Sequence, residues 1–121
     1  MPSTGHFSVS CSGNLEVDIH RPGLLGMFRR PIIADCLQFS LTGIQIESDV
    51  EFKVGEKLVI DLKLHDLRVE ELPGVVRSVS VSDGQHYYEI EYDHDRRDRP
   101  NTLHCLRHID THIRHQLKQA V

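Results

Sequence analysis

Between Cys36 and Ile46 the chain reads Cys-Leu-Gln-Phe-Ser-Leu-Thr-Gly-Ile-Gln-Ile. That is a strand, a tight polar turn and a second strand. Ser40, Thr42 and Gly43 sit where the chain reverses, and Gly43 can take the positive φ that branched residues resist. Such a turn can also present hydroxyl and backbone N–H groups to an anion at a sheet edge.

Further strands flank this unit at regular spacing. Phe7 to Cys11 and Leu15 to His20 read as extended, interrupted by Ser12-Gly13-Asn14. Arg21 to Arg30 is a loop, and Pro31 to Phe39 is a strand that starts at its proline. Gly43 to Glu47 continues after the turn. From Lys57 to His65, Leu58, Ile60, Leu62 and Leu64 alternate with Val59, Asp61 and Lys63, the period of two that marks a half-buried strand. Gly74 to Val81 and His86 to Tyr92 form a hairpin across Asp83-Gly84, with Tyr88, Ile90 and Tyr92 on one face. A charged connector, Asp93 to Pro100, precedes a helix over Thr102 to Ala120 with Asn101 as its N-cap. Leu103, Leu106, Ile109, Ile113 and Leu117 gather on one helical stripe, suited to closing a barrel mouth or holding a partner. Many short strands at this spacing indicate a barrel or sandwich.

Composition narrows the class. A chain of 121 residues with 39% apolar and 26% charged residues fits one domain with a modest core. The net charge of −4 argues against a general nucleic-acid binder. No apolar run approaches the roughly 20 residues that span a bilayer. Met1 to Phe7 lacks the pattern of a signal peptide. Cys11, Cys36 and Cys105 are odd in number and lack metal-ligand spacing, which favours a reduced cytoplasmic setting with Cys36 as a buried, inert thiol.

A small barrel carrying a turn of the form [Asp/Asn]-x-Ser-x-x-Gly resembles the PilZ domain. The matching residues are Gln38-Phe39-Ser40-Leu41-Thr42-Gly43. Further likeness lies in Val54 to Leu62, Gly74-Val75-Val76-Arg77, Tyr87 to Tyr92 and the trailing helix, about 110 residues in all. The resemblance implies a mostly β fold: a small antiparallel PilZ-like β-barrel, about 7–93, with a C-terminal α-helix, about 102–120, in one domain over 1–121. It also implies a bacterial cytoplasmic module of cyclic di-GMP signalling, with outputs such as motility, pili and exopolysaccharide.

The family's nucleotide site has an Arg-x-x-x-Arg motif ahead of the first strand and the Asp-x-Ser-x-x-Gly turn opposite it. Guanidinium suits the first part because its planar donor fork matches phosphate and stacks on a base. Here Thr4 and Ser8 fall where the arginines belong, and residues 1–19 hold no Arg or Lys. Gln38 replaces the aspartate, while Ser40 and Gly43 remain. A charge-assisted hydrogen bond contributes roughly 1.5–3 kcal/mol. Losing two such contacts weakens binding by about 3–6 kcal/mol, or about two to four powers of ten. Weak or absent cyclic di-GMP binding at the standard site is therefore expected. The alternative is a genuine receptor in which Arg29 and Arg30 replace the missing pair and act with Gln38, Ser40 and Gly43.

Two other constellations stand out. The loop Arg21 to Pro31 carries Leu24, Leu25, Met27 and Phe28 beside Arg29 and Arg30. Apolar and Arg residues in an exposed loop suit a protein contact; folding back to cap the barrel is the competing reading. His104, His108, His112 and His115 lie on the helix arc opposite the apolar stripe, where solvation is expected. His at i, i+4 can bind Zn²⁺ or Ni²⁺, but no carboxylate or cysteine completes a ligand set there, so no metal is expected. No Gly-x-Ser-x-Gly elbow or phosphate-binding Gly-rich loop supports catalysis. The sequence thus predicts a non-enzymatic adaptor without a cofactor, monomeric or homodimeric. Its partner would be a protein of a motility, pilus or exopolysaccharide system, with no nucleic acid and no membrane span.

Overall fold

Hydrophobic alternation and turn chemistry together close the chain into a barrel. The structure, a computed structural model, describes residues 9–10, 15–22, 32–93 and 100–119, with side chains for 15–22, 32–93 and 102–115. The elements are β1 (Val9–Ser10), β2 (Glu16–His20), β3 (Ile32–Phe39), β4 (Gly43–Ser48), β5 (Lys57–Leu64), β6 (Leu67–Ser82), β7 (Gln85–Tyr92) and α1 (Pro100–Gln119). All pairings are antiparallel, in the order β1-β3-β2-β5-β6-β7-β4, and β3 also pairs with β4. Six strands, β2 to β7, therefore form a closed ring without a free edge. The short β1 lies against the far end of β3, with Val9 opposite Phe39 and Ser10 opposite Gln38.

Period-two strands put one face inward. On β5, Leu58, Ile60, Leu62 and Leu64 are buried at 0–1% exposure. Phe39, Ile46, Leu72, Val76, Tyr88 and Ile90 meet them from the other strands. Tyr88 satisfies its buried hydroxyl by accepting from the Phe52 N–H at 3.0 Å and donating to the Val50 carbonyl at 2.8 Å. Three register shifts, at Cys36/Gln38, Ile60/Leu62 and Val76/Ser78, supply the local bends that closure requires. At the second, Glu71 takes φ 56° and its N–H donates to Asp61 Oδ1 at 2.8 Å.

Several boundaries differ from the sequence reading. β6 begins at Leu67, not Gly74, because Pro73 sits in the strand opposite Val59 while its carbonyl accepts from the Asp93 N–H. A strand can hold a proline where no ladder donor is needed. Asp83 and Gly84 both adopt positive φ, as the predicted two-residue turn requires. The left-handed glycines among the described residues are Gly55 and Gly84; Gly43 is not one of them, so the expected positive φ is absent there. The helix includes Asn101 and opens at Pro100. Proline suits that first position because its missing N–H would be unsatisfied anyway. The stripe Leu106, Ile109 and Ile113 is buried because α1 packs against β6 and β1. His104, His108 and His115 are exposed as expected, but His112 is half-buried and meets His65 edge-on at 5.0 Å.

Candidate functional site

The turn between β3 and β4 is held by one hydroxyl. Ser40 is only 2% exposed. Its Oγ accepts from the Thr42 and Gly43 N–H groups at 3.2 and 3.1 Å and donates to the Gly43 carbonyl at 3.1 Å. The Ser40 N–H donates to the same carbonyl, and the Thr42 carbonyl accepts from the Tyr92 N–H. The turn thus consumes these hydroxyl and N–H groups internally. It does not hold them out to an anion.

The outer surface beside the turn follows from strand register. Gln38 is exposed on β3 and faces Gln45 of β4. Gln45 and Gly43 in turn lie opposite Glu89 and Glu91 of β7. Gln45 Nε2 donates to Glu89 Oε1 at 3.3 Å, and Arg77 binds Glu91 Oε1 through Nε and Nη2 at 3.2 and 2.8 Å. A groove of about 240 Å³ opens here, lined by Leu37, Gln45, Ser78, Ser80, Tyr87 and Glu89, with no Lys or Arg in its wall. Two carboxylates and one guanidinium already paired to one of them form a poor surface for a ligand with two phosphodiester charges. The sequence contained this signal: Glu89 and Glu91 alternate with the inward Tyr88, Ile90 and Tyr92, so they had to point outward.

Arg21 is likewise committed. Its Nε donates to Glu56 Oε2 and its Nη2 to the Glu51 carbonyl, each at 2.7 Å. The guanidinium also lies 5.0 Å from the Phe52 ring centroid. Glu56 Oε1 accepts from the Lys53 N–H. This network pins the β4–β5 connection to the end of β2, a role the sequence reading missed because the partners are 35 residues apart. Burial pushes the Glu56 carboxyl upward, but hydrogen bonds and charge from Arg21 and Lys53 outweigh it and hold it below the ordinary value. A depressed carboxyl pKa stabilises the fold above the unfolded-state value and loses that contribution as pH falls through the folded one. Glu56→Gln should therefore be less stable than wild type at pH 7 by up to about 1 kcal/mol. Chemical denaturation at a series of pH values should show that gap closing below the ordinary carboxyl value of 4.5.

The other predicted residues divide by position. Thr4, Ser8, Leu24, Leu25, Met27, Phe28, Arg29 and Arg30 lie outside the described residues. β3 starts at Ile32 and ends beside Ser40, so these two points are roughly 25 Å apart at the usual strand rise. Two residues, the separation of Arg30 from Ile32, span at most about 7 Å. The expectation for cysteine needs correction: Cys36 is disulfide-bonded. Cys105 is a free thiol, and the remaining cysteine, Cys11, lies outside the described residues. Among the described residues no group of three or more His, Cys, Asp or Glu side chains could hold a metal. No described helix is long and apolar enough to cross a membrane.

The model of the PilZ domain matches residues 14–119, nearly the whole chain. The chain belongs to the PilZ domain family. Solved structures agree on the fold. The PilZ domain of YcgR from Escherichia coli, determined with c-di-GMP, superimposes with a TM-score of 0.73 at 13% identity, over 98% of this chain and 97% of that one. YcgR itself in complex with c-di-GMP gives 0.72 at 12% identity, over 98% of this chain but only 49% of that one. The Bacillus subtilis inhibitor of motility MotI gives 0.60 at 16% identity, covering 92% of this chain and 53% of that one. This PilZ chain thus spans about half the length of YcgR and MotI. None of the curated proteins is matched by its sequence.

Proposed function

We propose that this PilZ domain is a non-enzymatic adaptor in bacterial cyclic di-GMP signalling, acting through protein contacts with weak or absent nucleotide binding at the standard site. One observation carries the reading. The surface beside Gln38 presents Glu89 and the Arg77–Glu91 pair, while the Ser40 hydroxyl is spent within its own turn. Phosphate groups arriving there would meet carboxylates, and the Arg77 guanidinium beside them is already paired with Glu91. Arg21, the first arginine of the chain, is tied to Glu56 and Glu51.

The contact surface is the segment Leu24, Leu25, Met27 and Phe28, whose composition is that of an interface. The receptor alternative requires Arg29 and Arg30 to act at the Ser40 turn. The length of β3 weighs against it, because both arginines precede the opposite end of that strand. The test replaces Leu24, Leu25 and Phe28 by serine in the full chain and compares protein capture in the source bacterium with and without added cyclic di-GMP. The adaptor reading expects a protein held by the wild type, lost by the variant and indifferent to nucleotide. Unchanged capture by the variant, or capture that appears only with nucleotide, overturns it.

A further inference from the structure

The exposed face of α1 carries a second feature that the adaptor role leaves unused. His104 and His108 are both exposed. They stand one helical turn apart, and their Nε2 atoms approach to 3.0 Å. The rings meet edge to face, with centroids 4.5 Å apart. Helical spacing of i, i+4 sets the two side chains side by side, so the helix itself preorganises the pair.

We propose that His104 and His108 form a bidentate site for a divalent transition-metal ion of the Cu²⁺ or Ni²⁺ class. With metal–nitrogen bonds of about 2.0–2.1 Å, two nitrogens 3.0 Å apart subtend about 91–97° at the metal. That is the cis angle of a tetragonal ion, which imidazole ligands suit. Tetrahedral Zn²⁺ prefers ligand nitrogens about 3.3 Å apart at the same bond length, and its affinity falls below that of Cu²⁺ for a given nitrogen site. Both rings must present a lone pair, so each carries its proton on Nδ1 when the metal is bound. In the metal-free protein one Nε2 can donate to the other, and the cation takes the place of that shared hydrogen. The remaining positions stay open to water or to a donor from another molecule. The expectation of no metal rested on a complete ligand set; an open site needs only these two.

The experiment titrates untagged full-length protein with CuCl₂ or NiCl₂ in a weakly coordinating buffer at pH 7.5, followed by calorimetry. Copper EPR reports the bound nitrogens. Helix content by circular dichroism confirms that each variant is folded. One metal per chain should bind, and His104→Ala or His108→Ala should each weaken it at least about tenfold, because removing one donor forfeits the effective concentration of the second. His115→Ala should leave the affinity unchanged, and Zn²⁺ should bind more weakly than Cu²⁺. Equal copper affinity in wild type and His108→Ala, or an EPR signal indifferent to both substitutions, overturns the assignment.

Discussion

Leu106→Ala should lower the stability of the whole domain by about 2–5 kcal/mol, the range for emptying a fully buried leucine site. Leu106 has no exposed surface, and Ile109 beside it has none either. Both lie where α1 packs on β6 and β1. The apolar stripe is therefore covered by the barrel, and the helix acts as part of the core. At roughly 3–6 °C per kcal/mol for a chain of this size, thermal melting should fall by at least about 6 °C. Arg107→Ala, one residue along on the exposed face, should change stability by no more than about 0.5 kcal/mol. Equal, small effects at both positions would mean that α1 is not anchored as described.

Ser40→Ala should destabilise the fold by about 2–3 kcal/mol, although only one oxygen is removed. The Thr42 and Gly43 N–H groups both donate to that oxygen, and Gly43 is buried. A buried donor left without its partner costs about 1–3 kcal/mol. Urea denaturation measures the loss directly. The variant also separates structure from binding. In this PilZ domain the serine holds the β3–β4 turn, so its removal should register as stability and not as a change in nucleotide affinity.

The barrel was legible in the sequence where periodicity and turn chemistry agreed. Lys57 to Leu64 alternates without interruption, and Asp83-Gly84 makes the turn its residues demand. β6 was only half legible: the sequence reading starts it at Gly74, and Glu70, Glu71 and Pro73 before it are poor strand residues. In the fold, a bulge capped by Asp61 absorbs the glutamates. The proline needs no ladder donor. Gly74 leaves space that a Cβ would lose, since that atom would stand 2.8 Å from Ile90 Cγ2. These are consequences of long-range strand pairing, which local composition does not carry. The same holds for the site. The position of Ser40 and its bonding within the turn, to Thr42 and Gly43, are local and readable from the motif, but the Arg21–Glu56 tie joins residues 35 apart. The outward direction of Glu89 and Glu91 was available from alternation alone, and it is the strongest electrostatic fact about the surface beside the turn.

The central claim concerns the nucleotide, and calorimetric titration of the pure chain with cyclic di-GMP tests it most directly. The loss of two guanidinium contacts predicts no saturable binding tighter than about 10 μM, because each contact contributes about one to two powers of ten. A dissociation constant below about 10 μM, weakened by Arg29→Ala or Arg30→Ala, would contradict the adaptor account and make this PilZ domain a receptor.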